Sequence, residues 1–324
     1  MERGYDVIGI DNFSKYGAVE RSHDQHPKFT LLNMDVCQLA SRTEVLRPIL
    51  QDADYIIAGA AMIGGITYFH KYAYDLLATN ERILASTFDL AIRLHRDNHL
   101  KKILVISSSM VFENTDKYPT PETEIKSCPP PSSTYGFQKL ASEYFCKGAH
   151  EQYGLPFTII RPFNCVGLGE DEALGEETIT IGNLKMLMSH VLPDLIYKAL
   201  HLEPTDEMPI LGKGNQIRHY TNGKDIARGI RIALESEKAL NEDFNISSPQ
   251  PTSVKELAQI VWAKIHGTDL KLRSYKPYPY DVQLRSPDVE KAKEVLGFET
   301  EISLEDSINE VIGWMKEHYE QLNK

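Results

Sequence analysis

The sequence predicts an α/β protein built on a doubly wound parallel sheet, with a smaller, less regular region after it. Three observations carry the prediction. Apolar runs of strand length, such as Tyr5–Ile10, Ala53–Ala58 and Ile103–Ile106, alternate with longer stretches of helical period. Several runs end in polar or small residues, as strands do at the ligand-binding carboxyl edge of an open α/β sheet. After Gly169 the alternation loosens.

Taken in order, Tyr5–Ile10 reads as a strand ending in Asp11-Asn12. In dinucleotide-binding folds an acid at such a strand end follows a Gly-rich turn by about 20 residues and bonds a ribose. Here the acid stands at position 11, no Gly-x-x-Gly-x-x-Gly precedes it, and Arg3-Gly4 resembles a helix end with its cap glycine. The expectation is that the first strand, glycine loop and helix are absent from this sequence. The alternative is a plain edge-forming first strand with Asp11 as a turn residue. Phe29–Val36 is the next strand; Asp35 at its end either meets an adenine or only turns the chain. Arg42–Gln51 reads as a helix and Ala53–Ala58 as a buried strand. That strand runs into Gly59-Ala60-Ala61-Met62-Ile63-Gly64-Gly65, small residues that let a flat cofactor approach the backbone or merely form a tight loop. Tyr72–Asn98 is a long amphipathic helix that holds Asn80. Phe157–Gly167 is a strand with a polar end. Beyond it lie an acidic loop, Glu170–Thr180, and helices over Asp194–Leu200, Ser253–Ile265 and Leu304–Leu322.

The stretch from Lys101 to Lys139 holds the chemistry. Ile103–Ile106 is too short an apolar run for a helix of its own, and Ser107, Ser108 and Ser109 follow at the strand's end. Pro129–Pro131 forbid a helix before Ser132–Thr134, which can cap one that continues through Ala141–Phe145. Tyr135 and Lys139 then share a helix face. A free phenol ionises near pH ~10. An ammonium group one turn away stabilises the phenolate and lowers that value. With a serine hydroxyl from the neighbouring strand, such a pair can take a proton from a sugar hydroxyl while a hydride leaves the same carbon. Tyr-x-x-x-Lys by itself also describes an ordinary helix surface.

The chain has 324 residues, 42% of them hydrophobic and 25% charged, enough for one large or two modest domains. A net charge of −11 does not suggest a nucleic-acid surface. Cys37, Cys128, Cys146 and Cys165 show no Cys-x-x-Cys spacing and no neighbouring His cluster. Reduced thiols in a cytoplasmic protein are therefore expected, with no metal site. No apolar run approaches a membrane span and no secretory signal opens the sequence.

Ser-Ser-Ser-x-Val-Phe, Tyr-x-x-x-Lys, Arg-Pro-Phe-Asn-x-x-Gly, Gly-x-Gln-x-Arg-x-Tyr and Arg-x-x-Asp-x-x-Lys-Ala-x-x-x-Leu-Gly-Phe occur in that order along nearly the whole chain. Together they resemble the extended short-chain dehydrogenase/reductases, in particular the NAD-dependent nucleotide-sugar epimerase/dehydratase family. The resemblance implies a Rossmann-like NAD-binding domain over 1–168, N-terminally incomplete. It implies a mainly substrate-binding domain over 169–324, some of whose segments return to the sheet. Tyr135 would be the catalytic base or acid, Lys139 its tuner and a ribose ligand, and Ser108 or Ser109 the third member. Asp11, Asn12, Asp35 and Val36 would contact the adenosine half of NAD, with Asn80 also on the cofactor side. Gly59, Ala60 and Ala61 would line the path to nicotinamide. Met62, Asn164, His190 and Val191 would meet a nucleotide-diphosphate sugar, with Arg218 and Arg285 clamping its phosphates; each arginine taken alone could equally be a surface salt bridge.

The chain departs from the family pattern at several points. Ser109 and Met110 stand where the 4,6-dehydratase branch carries Asp-Glu, and Met110 stands where a 3,5-epimerase branch places a cysteine. Neither side chain protonates a leaving hydroxyl, so 4-epimerisation through a transient 4-keto sugar is the expected reaction. Dehydrogenation, reduction or dehydration on the same fold is the alternative. A non-catalytic nucleotide binder is the second alternative, on account of the glycine loop. The resemblance also implies a homodimer joined through the helices around Asn80–Asn98 and Tyr135–Tyr153.

Overall fold

A computed structural model of the chain describes residues 1–97, 100–170, 173–175, 177–279 and 281–322. Strands β1 (Val7–Asp11) and β2 (Phe29–Asn33) pair in parallel, Val7 opposite Phe29 and Asp11 opposite Asn33. Helix α1 (Thr43–Leu50) leads to β3 (Tyr55–Ala58). Helices α2 (Ile66–Lys71) and α3 (Ala73–Arg96) precede β4 (Lys102–Ile106). Helix α4 (Thr134–Tyr153) then connects to β5 (Phe157–Pro162). Strands β3, β4 and β5 form a parallel sheet, which β12 (Glu242–Ile246) rejoins from far along the chain beside β5.

The parallel sheet is in two parts. β1 and β2 hydrogen-bond to each other, whereas the four-stranded part runs β12-β5-β4-β3. Both parts rest on one core: Ile8, Ile10 and Leu32 pack on the cluster that holds Ile103, Val105, Ile159, Leu84, Phe88 and Leu94. On the opposite face, α6 (Gly223–Glu235) and α8 (Glu290–Leu296) contribute Ala233 and Ala292 to a cluster over Leu104, Ile160, Phe244 and Ile246. That cover stops short of β3, where Ile57 is 48% exposed. A strand inside a parallel sheet is ordinarily covered on both faces.

Local chemistry explains where the elements differ from the sequence expectation. β2 ends at Asn33 because Asp35 caps a 3₁₀ turn over Val36–Gln38, its Oδ1 accepting from Cys37 N at 2.8 Å. The stretch read as one helix over Tyr72–Asn98 begins earlier and is broken. Tyr72, at φ −114° and ψ 37°, ends α2 and starts α3; Asn98 lies outside the described residues. The entry to α4 is as expected. Ser133 Oγ accepts from Gly136 N at 3.0 Å, and Gly154, at φ 71°, closes the helix in the left-handed conformation.

The remaining segments form small pairs around a second core. β6 (Cys165–Val166) pairs with β11 (Thr221–Asn222), β10 (Ile217–Arg218) with β13 (Thr252–Ser253), and β9 (Glu207–Leu211) with β14 (Lys271–Tyr275). β7 (Ile179–Ile181) and β8 (Leu184–Met186) make an antiparallel pair. Helices α5 (Val191–His201), α7 (Val254–His266) and α9 (Leu304–Leu322) supply Leu192, Leu195, Leu257, Trp262, Ile308 and Met315 to this core. α7 starts with a capping box, Ser253 and Glu256 satisfying each other's backbone N–H groups. No helix among the described residues is long and apolar enough to cross a membrane.

Candidate active site

The carboxyl end of β4 and the first turn of α4 build the site together. Ser108, extended at φ −161°, caps a 3₁₀ turn over Ser109–Phe112 and accepts from Met110 N at 3.2 Å. This turn is buried throughout, so Ser109 and Met110 face packed protein. Gly136, next to Tyr135, lets α4 approach the turn. A Cβ there would lie 2.6 Å from Pro131 Cβ, 2.8 Å from Met110 O and 2.9 Å from Glu113 Oε2. Glu113 Oε2 in turn accepts from Ser133 N at 3.0 Å and from Ser133 Oγ at 2.8 Å, fixing the helix start.

Tyr135 is buried, stacked on Phe69 with ring centroids 4.3 Å apart, in a cluster with Tyr68, Leu76, Met110 and Met188. Its hydroxyl hydrogen-bonds with Ser108. Lys139 donates from Nζ to Ile106 O at 2.9 Å, and this Nζ lies 5.9 Å from the Tyr135 ring centroid. The helical spacing thus places all three side chains at one strand end, as expected. The direction of the phenol's shift differs from the expectation. Burial raises the Tyr135 phenol above its ordinary value, and the Ser108 hydrogen bond and the Arg285 charge only partly oppose it. Burial also pulls Lys139 down to about 8. The physical reason is that one apolar pocket desolvates both groups.

The loop after β3 reaches the same pocket. Asn80 on α3 accepts from Met62 N at 2.7 Å and donates to Met62 O at 3.0 Å, which anchors the loop. Met62 and Ile63 pack on the Tyr135 cluster. Gly59 and Ala60 are exposed, and a Cβ on Gly59 would meet only Ile106 Cδ1, at 3.5 Å. Gly65 has a different reason: a Cβ there would lie 2.0 Å from Ser189 O. Asp11 at the end of β1 is exposed, its Oδ1 accepting from Phe13 N at 2.8 Å, while Asn12 Oδ1 accepts from Ser14 N at 3.1 Å. Val36 packs on the core beneath the sheet.

The second half of the chain brings cations to Tyr135. Arg218 pairs with Asp281 at 3.2 Å and donates from Nη1 to Ile217 O at 2.8 Å. Arg285 Nε is buried with no hydrogen-bond partner among the described residues. Burial, and then the like charge of Arg218, pull Arg285 down to about 9. Tyr220 Oη and His219 Nε2 are also buried without partners among the described residues, and burial pushes the Tyr220 phenol up to about 12. Asn164, left-handed at φ 39°, donates from Nδ2 to His219 O at 3.3 Å. His190 holds Glu170 Oε1 through Nδ1 at 2.6 Å and through its backbone N at 2.9 Å. Burial lowers its imidazole, but Glu170 outweighs burial and the net shift is upward. Val191 opens α5 and leans on the second core. Arg285 thus acts on Tyr135, and Arg218 and His190 each lie near enough to Arg285 to feel its charge, whereas Val36 and Val191 pack on the two cores. Gly136 and Glu113 are the residues missed by sequence reasoning, and Gly136 beside Tyr135 was the available signal.

Residues 1–247 match the model of the NAD dependent epimerase/dehydratase family. A putative UDP-glucose 4-epimerase of Methanocaldococcus jannaschii is 26% identical over 317 residues, covering 98% of this chain and 92% of that protein. A putative GDP-L-fucose synthase 2 of Oryza sativa subsp. japonica is 26% identical over 268 residues, covering 82% of this chain and 72% of that protein. Among solved structures, the UDP-glucose 4-epimerase of Thermotoga maritima with UDP-glucose superposes with a TM-score of 0.78 at 25% identity, covering 98% of this chain and 93% of the other. The chain belongs to the NAD dependent epimerase/dehydratase family.

Proposed function

We propose that the protein is an NAD-dependent nucleotide-sugar 4-epimerase that works through a transient 4-keto sugar. The observation that carries the reading is the Tyr135 hydroxyl, bonded to Ser108 and flanked by Lys139 and the Arg285 charge, with the thioether of Met110 beside it. In its phenolate form, which Ser108 and the Arg285 charge favour against burial, Tyr135 takes the proton of the sugar 4-hydroxyl while Ser108 shares a hydrogen bond with the same oxygen, and Tyr135 later returns that proton to the turned sugar. Met110 offers no acid for the loss of a hydroxyl, which disfavours dehydration.

The residues present suit the ends of a dinucleotide. Asp11, with Asn12 and Asp35, would hold the adenosine ribose and base. The exposed Gly59–Ala60 backbone leaves room for a flat group, with Ala61 and the Asn80-anchored loop beyond it. Lys139 would hold the second ribose. NAD, when bound, supplies the oxidation and reduction at the sugar carbon. Arg285, whose buried Nε has no partner among the described residues, is the group best placed to receive a diphosphate, with Arg218 and His190 near it and Asn164 as a further polar contact; 169–324 would then be the mainly substrate-binding part. The test is incubation with NAD and a panel of UDP-, GDP- and dTDP-sugars, read by mass and by sugar stereochemistry. Inversion at C4 with unchanged mass is expected. A product of altered oxidation state, or one that has lost water, would replace this reading with a reductase or a dehydratase.

The helix pair also supports a homodimer. Phe137 and Tyr144 on α4 are 50% and 65% exposed and line an apolar groove with Phe88, Ile92 and Leu140. A second copy of the same face covers it best by two-fold symmetry. Sedimentation velocity giving a monomer at micromolar concentration would count against the pairing.

A further inference from the structure

Beneath the site lies a charged network that the proposed chemistry does not use. Glu143 and Arg161 are each 0% exposed. Glu143 Oε1 accepts from Arg161 Nε at 2.7 Å and from Ser107 Oγ at 2.8 Å, and Glu143 Oε2 accepts from Arg161 Nη2 at 2.8 Å. The same Nη2 lies 2.6 Å from Asp243 Oδ2. The guanidinium also sits over the Phe112 ring, 5.1 Å from its centroid. One cluster therefore joins α4, the end of β4, β5, β12 and the 3₁₀ turn that Ser108 caps.

The position of this cluster matters more than its charge. Glu143 is one helical turn beyond Lys139 on α4. Lys139 ties to Ile106 O and Glu143 ties to Ser107 Oγ, consecutive residues that lead directly into Ser108. These two ties set the register between helix and strand end, and that register fixes how the Tyr135 and Ser108 hydroxyls meet. A carboxylate held in two parallel guanidinium bonds has little rotational freedom, so it passes the sheet's rigidity on to the helix.

We propose that Ser107 and Glu143, backed by Arg161, are positioning residues for the Ser108–Tyr135 pair. They act through Ser108 and α4, without touching the substrate. The proposal rests on the Tyr135 reading above for its effect on turnover, but its structural part does not. A conformational error of about 1 Å at reacting groups can cost up to ~10²-fold.

The test is Ser107→Ala, which removes one hydroxyl and leaves the Glu143–Arg161 bonds intact. With ¹³Cζ-labelled tyrosine in the full chain, the Tyr135 resonance is assigned by its loss in Tyr135→Phe. Ser107→Ala is expected to move the titration of that resonance, because the Ser108 bond loosens. It is expected to lower kcat about tenfold with KM within about twofold, and Ser107→Thr is expected to restore both. A Ser107→Ala protein with an unmoved Tyr135 titration and unchanged kcat would overturn the proposal and leave the cluster a purely structural clamp. Should Ser107→Ala fail to fold, Glu143→Gln is read the same way, by the Tyr135 titration. The resonance is independent of which sugar is turned over, so full activity in Tyr135→Phe would sink the functional reading while leaving this result interpretable.

Discussion

Tyr135→Phe is expected to lower turnover by about 10²–10⁴-fold, the usual worth of a positioned proton donor or acceptor. The ring and its stacking on Phe69 survive the change, so folding and affinity for a nucleotide sugar should be nearly unaltered. The measurement pairs steady-state turnover with calorimetric binding of the same nucleotide sugar. The loss should fall on kcat with little change in KM, because the hydroxyl acts on charge that develops during the reaction. A variant that turns over at the wild-type rate would remove Tyr135 from the mechanism. A variant that loses binding instead would make the hydroxyl a substrate anchor. Burial holds the phenol's proton tightly, so Ser108→Ala should also reduce kcat, by withdrawing the one side-chain hydrogen bond that favours the phenolate.

The sequence was informative wherever a physical rule acts over a few residues. Pro129–Pro131, Ser133 and Gly154 are local signals, and they bracket α4 as they should. The spacing of Tyr135 and Lys139 placed them on one face, and three serines after an apolar run marked the end of β4. Spacing could not say what else that face would meet. Phe69 comes from α2, a short helix just after the Gly59–Gly65 loop where the sequence reading placed no element, and its ring helps desolvate the phenol. Lys139 turned to a backbone carbonyl rather than to the phenol, and burial raises the Tyr135 phenol against the expected direction. The adjacency of Arg218 and Arg285 was implied by the family resemblance and not by spacing, because it depends on how β10 and the segment before α8 fold together. Only there does the like charge of one act on the other. The division of the sheet was not foreseen either: each strand reads correctly on its own, but hydrogen-bonded pairing is a property of the set.

Arg161→Met is expected to be among the most damaging substitutions for stability, at about 3–5 kcal/mol, and it shows why the deepest charged cluster escaped the sequence reading. Arg161, Glu143 and Asp243 lie on separate elements, and nothing in their spacing announces that they meet. Removing the guanidinium leaves the fully buried Glu143 carboxylate with only the Ser107 hydroxyl of its former partners. An uncompensated buried charge carries that cost, whereas an intact buried pair contributes little beyond an apolar substitute. Adding Glu143→Leu to Arg161→Met should therefore recover a substantial part of the loss. The pH dependence follows from Asp243. Burial acts to raise its carboxyl, but Arg161 and Lys291 outweigh burial and hold it below the ordinary value. A carboxyl depressed in the folded state stabilises the protein above its unfolded pKa of ~3.9, and that contribution is lost as pH falls through the folded value. The deficit of Arg161→Met relative to the parent should accordingly shrink on acidification from neutrality to below pH ~4, as Asp243 takes up a proton and the parent loses this contribution. Urea denaturation of the parent, the single variant and the double variant at both pH values measures this. A single variant within about 1 kcal/mol of the parent at neutral pH would mean that water or rearrangement already relieves Glu143. The cluster would then be no clamp on α4, and the register of Tyr135 would have to be held by Lys139 and Gly136 alone.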